Sequence, residues 1–244
     1  MINNPLTKKL GGGVYLLHLL NKKRMCYNEL EVFMKKLDII YEDKEILVVN
    51  KPAKLLTISD GVHENTLYSM VREYVKKKHK SNKIFIVHRL DKDTSGVVVF
   101  AKIEKVKKEL QMNWNECTKR EYLGILEGIL KEDKGVIKNY LLEDSTHKVY
   151  VSKNKKGEYA ETYYEVLKRT KKNTIVKIEI KTGKKHQIRV GFANLGYPII
   201  GDKKYGSKEN PIKRVGLHAS KLILELNGEK KEFQATTPKE FSNF

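Results

Sequence analysis

Ile84-Phe85-Ile86-Val87-His88-Arg89-Leu90-Asp91-Lys92-Asp93-Thr94-Ser95-Gly96-Val97-Val98-Val99-Phe100 sets two apolar runs on either side of a loop that is polar at almost every position. Short runs of this kind, rich in β-branched and aromatic residues, predict buried strands. The loop between them gathers His, Arg, two Asp, Thr and Ser, and loops held between strands commonly carry chemistry. The plainer reading is a polar turn whose Asp and Thr side chains cap their own backbone.

Working outward, 46–49 (Ile-Leu-Val-Val) predicts a strand ended by Asn50-Lys51-Pro52. Leu67, Met70, Val71, Tyr74 and Val75 follow helical spacing behind Thr66 as N-cap, and the helix exits into Lys76-Lys77-Lys78-His79-Lys80. Val106, Leu110 and Trp114 mark a second helix stripe, read as core. Residues 121–181 look β-rich. Tyr122, Leu123, Ile125 and Leu126 open one strand, and 147–152 and 162–167 flank a polar 153–158 turn, predicting a hairpin. From 175 to 181 the pattern alternates, with Val176, Ile178 and Ile180 on one face. Thr182-Gly183 ends that strand, and a short helix is expected to run on to Gly196. Strand runs with few helices predict an α+β fold rather than a doubly wound sheet. Residues 1–37, with Lys22-Lys23-Arg24, read as a helical extension, and 38–244 as the main domain.

The 244 residues carry 49 Lys+Arg against 30 Asp+Glu, a net charge of +19, with 40% hydrophobic residues. That apolar share supports a packed core, and the charge points to a polyanionic partner, nucleic acid first. Cys26 and Cys117 stand far apart without a C-x-x-C, which excludes a zinc ribbon or disulfide framework and suggests a cytoplasmic chain. The apolar stretch 14–20 is too short to cross a bilayer, so no membrane partner is expected. Neither G-x-G-x-x-G nor G-x-S-x-G occurs, Gly183-Lys184 lacks the rest of a P-loop, and no histidine pair has zinc-helix spacing.

A second polar segment, Thr182-Gly183-Lys184-Lys185-His186-Gln187-Ile188-Arg189, is basic and precedes the expected short helix, where phosphate is attracted. Solvated lysines at a helix start are the bland alternative. One segment offers carboxylates and the other cations, and a carboxylate nucleophile needs a buried Arg to hold and orient it. A metal-dependent nuclease built on Asp91, Asp93 and His88 is a further possibility on residue types alone.

His88-Arg89-Leu90-Asp91 followed by Thr94-Ser95-Gly96 resembles the signature of RluA-type RNA pseudouridine synthases. Further blocks agree in order: Ile40 to Asp43 with Val48 to Pro52, Lys119 to Gly128, Thr182 to Arg189 with Leu195 to Asp202 and Tyr205-Gly206, and Leu217-His218-Ala219. The resemblance implies a long mixed, mainly antiparallel sheet with peripheral helices and a central basic cleft. It implies isomerisation of uridine to pseudouridine in structured ribosomal or transfer RNA, without cofactor or metal. By position, Asp91 becomes the nucleophile, Tyr122 the stacking partner of uracil and Arg189 the partner of Asp91. Attack at C1′, attack at C6 and a glycal route all remain open for Asp91. RNA contacts fall to His88, Arg89, Lys119, Lys184, Lys185, His186 and Gln187, with Arg89 helping to extrude the base. Two positions depart from the pattern: Lys184 where Arg is expected, and Gly191 where His is usual. The family's optional S4 domain is not expected in 1–37, and a monomer is expected because no sustained heptad is visible. A non-catalytic RNA-binding protein on the same scaffold is the alternative.

Overall fold

A computed structural model of the chain describes residues 37–244; the extension expected over 1–37, all but its last residue, lies outside them. Its strands are β1 (Asp38–Glu42), β2 (Ile46–Lys51), β3 (Phe85–Ile86), β4 (Ser95–Ala101), β5 (Thr118–Glu127), β6 (Lys134–Glu143), β7 (Val149–Val151), β8 (Glu158–Arg169), β9 (Asn173–Ile180), β10 (Leu217–Leu226) and β11 (Glu229–Gln234). The helices are α1 (Leu67–Lys78), α2 (Glu104–Met112) and α3 (Gln187–Asn194). All strands join one sheet in the order β1-β2-β4-β10-β5-β9-β8-β6-β7, with β3 added to β4 and β11 to β10. Among the described strands, β4 and β10 form the single parallel pair. The expected α+β class with a mixed, mainly antiparallel sheet is therefore the fold.

α1 forms where the apolar spacing places it. Thr66 and Ser69 cap it reciprocally, and Leu67, Met70, Val71 and Val75 are buried, worth roughly 1.5–3 kcal/mol each. Val106 and Leu110 of α2 join a core with Ile46, Val48, Val97, Val99, Leu222, Leu224 and Phe233. Gly96 makes the β4–β10 junction possible: φ is +119°, and a Cβ there would lie 2.1 Å from the carbonyl oxygen of Ala219.

Three expectations are corrected. Residues 147–152 and 162–167 do not form a hairpin, because β6 lies between them and pairs with both β7 and β8. The tight turn is at Asp144, whose Oδ1 accepts from the Thr146 and Lys148 amides. Gly157 then lets the chain cross β6, where a Cβ would lie 2.3 Å from the Leu141 carbonyl oxygen. Trp114 lies beyond the end of α2 rather than on it, half-buried and packed against the core that Val106 and Leu110 join. The last helix starts at Gln187 rather than at the Thr182-Gly183 break, because Gln187 ties 182–186 into a loop. Its Oε1 accepts from Thr182 Oγ1 and the Lys184 amide, and its Nε2 donates to the Glu161 carbonyl and Thr162 Oγ1. Gly196, at φ +85°, stands where the chain leaves α3, as expected.

Side chains on and beside β5, β6, β8 and β9 form a charge ladder. Glu165 pairs with Lys134 and Lys177, and Glu179 with Lys119 and Lys181. Positive charge on that side is largely matched by carboxylates.

Candidate active site

The loop between β3 and β4 is held at several points. Lys51 is wholly buried at the end of β2, and its Nζ donates to the carbonyls of Pro52, Leu55 and Lys92 at 3.0, 2.7 and 3.1 Å. Burial, opposed by Asp91 and Asp93 and aided by Arg214, brings its pKa down to about 7. Thr57 Oγ1 donates to the Leu90 carbonyl and accepts from the Leu90 amide. His88 Nε2 accepts the Val99 amide at 3.0 Å while the ring stacks on Trp114, centroids 4.4 Å apart. At the far end Ser95 Oγ accepts from Arg214 and lies 2.8 Å from His218 Nδ1. Such a loop fixes the carboxylate it presents to the cleft, that of Asp91, which stays partly exposed.

α3 brings Arg189 to that carboxylate. Arg189 Nη1 donates to Asp91 Oδ2 at 3.1 Å. Its Nε and Nη2 donate to Oδ2 and Oδ1 of buried Asp202 at 2.6 and 2.9 Å. This is the two-pronged geometry that a guanidinium offers and an ammonium does not. Burial alone would lower the Arg189 pKa, but Asp202 and then Asp91 outweigh it and raise it, so the guanidinium is a permanent charge. Asp202 thus holds Arg189, and Arg189 holds Asp91.

Tyr122, on β5, lines the same cleft. Burial pushes its phenol up to about 12, with Asp91 adding and Arg120 opposing, so at neutral pH it is a neutral ring and hydroxyl. Arg120 is buried, with Nη2 donating to Asn115 Oδ1 and the Lys181 carbonyl, while its Nε has no partner among the described residues. The cleft encloses about 230 Å³, small beside sites for drug-sized ligands. Arg89, Arg120, Lys184 and Arg189 line it against one carboxylate, Asp91.

Asp91, Tyr122 and Arg189, distant in sequence, therefore meet in one cleft. Of the residues expected at RNA, His88, Arg89, Lys184, His186 and Gln187 line it. Arg89 is exposed there; Lys184 pairs with Glu158 at 2.8 Å. Lys185 is exposed and paired with Glu143, and Lys119 stands on the charge ladder. The hydrogen bonds of Gln187 are spent on the loop before α3 and on β8. With Nε2 of His88 occupied by the Val99 amide, the metal-nuclease reading loses a ligand. Sequence reasoning assigned no place in the site to Asp202, Arg120, Trp114, Tyr205 or Lys51. The signal for Asp202 was available: an Arg deep enough to orient a carboxylate needs a second buried acid. At Gly191, a Cβ would sit 3.3 Å from Ile137 Cγ2, so β6 packs where a larger side chain would need room.

The site and fold define a class. Residues 45–194, spanning Asp91, Tyr122 and Arg189, match the model of the RNA pseudouridylate synthase family, and the chain belongs to that family. An uncharacterized RNA pseudouridine synthase of Bacillus subtilis is 36% identical over 192 residues, covering 77% of this chain and 63% of its own length. One from Aquifex aeolicus is likewise 36% identical, and this chain spans 61% of it. Ribosomal large subunit pseudouridine synthase D of Buchnera aphidicola is 32% identical, covering 98% of this chain and 80% of its own. The fold matches the solved structure of human RNA pseudouridylate synthase domain containing 4, with TM-score 0.75 and 24% identity over 88% of this chain and 95% of that one.

Proposed function

We propose that this chain isomerises uridine to pseudouridine in RNA. The reaction breaks the N1–C1′ bond, joins C5 to C1′, releases the C5 proton and places a proton on N1. The observation that carries this reading is the Asp91–Arg189–Asp202 chain beside Tyr122, a carboxylate held ready in a cation-lined cleft. Asp91 is the nucleophile, with Oδ2 tied to Arg189. Tyr122 stacks on the uracil, an aromatic platform worth roughly 1–3 kcal/mol per base. Extruding the base costs a few kcal/mol. Arg89, exposed at the cleft, helps hold the vacated position, and Lys184 and Lys185 meet phosphate. Relatives named as ribosomal large subunit pseudouridine synthases favour large-subunit ribosomal RNA as substrate over transfer RNA. Among the described residues no helix is long and apolar enough to cross a membrane.

Tritium release from RNA labelled at uridine C5, with EDTA present, tests the reaction. Release by the wild type and none by Asp91→Asn supports it. Tight, salt-sensitive binding to both ribosomal and transfer RNA without release would favour the non-catalytic reading.

A further inference from the structure

His186 closes the loop before α3 with left-handed backbone, φ 53° and ψ 17°, a conformation uncommon outside Gly, Asn, Asp and His. It stands at the helix N-cap, yet its side chain makes no cap hydrogen bond. The imidazole instead turns into the cleft. Nδ1 lies 2.6 Å from Tyr205 Oη, and Nε2 lies 3.7 Å from Asp91 Oδ2.

The tautomer follows from the groups that face the two ring nitrogens. A phenol has one hydrogen to donate. Tyr205 Oη accepts the Val149 amide at 3.3 Å, and among the described residues His186 Nδ1 is the acceptor its own hydrogen reaches. A lone pair on Nε2 would be set against a carboxylate oxygen, so Nε2 carries the hydrogen and Nδ1 accepts. The guanidinium of Arg189 lies over the Tyr205 ring, 5.1 Å from its centroid, and steadies the phenol from the other side. The groups facing the imidazole are Asp91, Tyr205, Arg189, Lys185 and Lys204. Burial lowers the His186 pKa to about 4, Asp91 opposes, and the cations add to the fall, so the ring is neutral near pH 7.

Both His186 and Arg189 thus address one oxygen of Asp91, Oδ2. Among the described residues Oδ1 receives no hydrogen bond. We propose that His186, set in its Nε2–H tautomer by Tyr205, is a positioning residue for Asp91: with Arg189 it fixes Oδ2 and leaves Oδ1 as the oxygen presented to substrate. This rests on the isomerase reading above. It reassigns His186 from RNA contact to holding the carboxylate, and gives Tyr205 a role at one remove. A separation of 3.7 Å is longer than a hydrogen bond, the kind of contact that tightens when substrate fills a site.

The first test does not need activity. Protein carrying 15N-labelled histidine is observed by long-range imidazole NMR at pH 7. His186 is expected as the Nε2–H tautomer in the wild type, with the preference weakened in Tyr205→Phe. An Nδ1–H tautomer or an imidazolium would overturn the proposal whether or not uridine turnover is seen. The second test compares His186→Asn, which tolerates the left-handed backbone but cannot reach Asp91, with His186→Gln, whose amide extends to the Nε2 position. His186→Asn should lower kcat by roughly 10-fold to 100-fold, the scale of misplaced reacting groups, with RNA Kd within twofold, and His186→Gln should recover most of it. A raised Kd with unchanged kcat at saturating RNA would return His186 to RNA contact. Equal losses in both variants with a lowered Tm would make it a structural residue. An inactive wild type whose His186 still shows the Nε2–H tautomer would count against the isomerase reading and leave the geometry standing.

Discussion

Acidification from pH 7 to pH 5 should cost the folded chain about 6 kcal/mol, through three histidines that the fold holds neutral. His88 is brought down to about 3 by burial and then by Arg120, His186 to about 4, and His218 to about 4 by burial first. Each starts from 6.5 in the unfolded chain. Between 6.5 and the folded values, the unfolded chain binds more protons than the native one, so stability falls as pH falls. At pH 5 each unfolded histidine is almost fully charged and each native one almost fully neutral, which is worth about 2 kcal/mol apiece by linkage. The window from pH 6.5 to 5 lies above the ordinary carboxylate range, so acid groups contribute little to it. Against a total stability of roughly 5–15 kcal/mol, the loss is large. Urea unfolding at pH 7, 6 and 5, followed by the fluorescence of the single tryptophan, Trp114, would measure it. His218→Gln removes one proton from the balance and should shrink the pH 7-to-5 loss by about 2 kcal/mol. A loss below about 1 kcal/mol in the wild type, or one that His218→Gln leaves unchanged, would refute the neutral-histidine account.

Three more outcomes are expected. Asp202→Asn breaks the two-pronged hold on a buried guanidinium and should cost about 3 kcal/mol of stability, with tritium release falling at least as far as in His186→Asn. Gly96→Ala should cost about 3 kcal/mol or more, seen as a lowered urea midpoint, because its methyl would strike the Ala219 carbonyl. For single-stranded RNA, Arg89→Ala should reduce the slope of log affinity against log salt by roughly 0.7. Lys119→Ala, already matched by Glu121 and Glu179, should leave it unchanged.

Much of this architecture can be read from local pattern. The α1 stripe with Thr66 as cap, the strand at 46–49 and the alternation at 175–181 all declare themselves within a few residues. β6 does not. Gly135-Val136-Ile137-Lys138-Asn139-Tyr140-Leu141-Leu142 alternates imperfectly, and Ile137 is buried while Val136 is exposed. Its place between β7 and β8 depends on pairing across the chain, which no window reveals. The site divides in the same way. Asp91, Tyr122 and Arg189 stand out through the family's ordered blocks, whereas composition and spacing alone left a polar turn as an equal reading. Asp202 and Tyr205 sit in one of those blocks, yet their purpose appears only when α3 turns Arg189 and His186 toward them. Lys51 looks like a surface lysine before a proline. It becomes a strap for the Asp91 loop once β2 and β4 are paired.

The order of the strands has a consequence for assembly in time. β1, β2 and β4 carry the Asp91 loop; β5, β9, β8, β6 and β7 carry Tyr122 and support α3. The strand between these halves is β10, made from residues 217–226, so the seam is closed by chain that follows every catalytic residue. The pairing of Ser95 with His218 spans 123 residues, a contact of high order whose loop-closure entropy is met late. Until β10 inserts, a nascent chain presents two unpaired edges, along β4 and β5, and Asp91 and Tyr122 belong to separate folding units. A chain stopped before residue 217 would hold every residue assigned to the chemistry and still lack the joint that makes them one site.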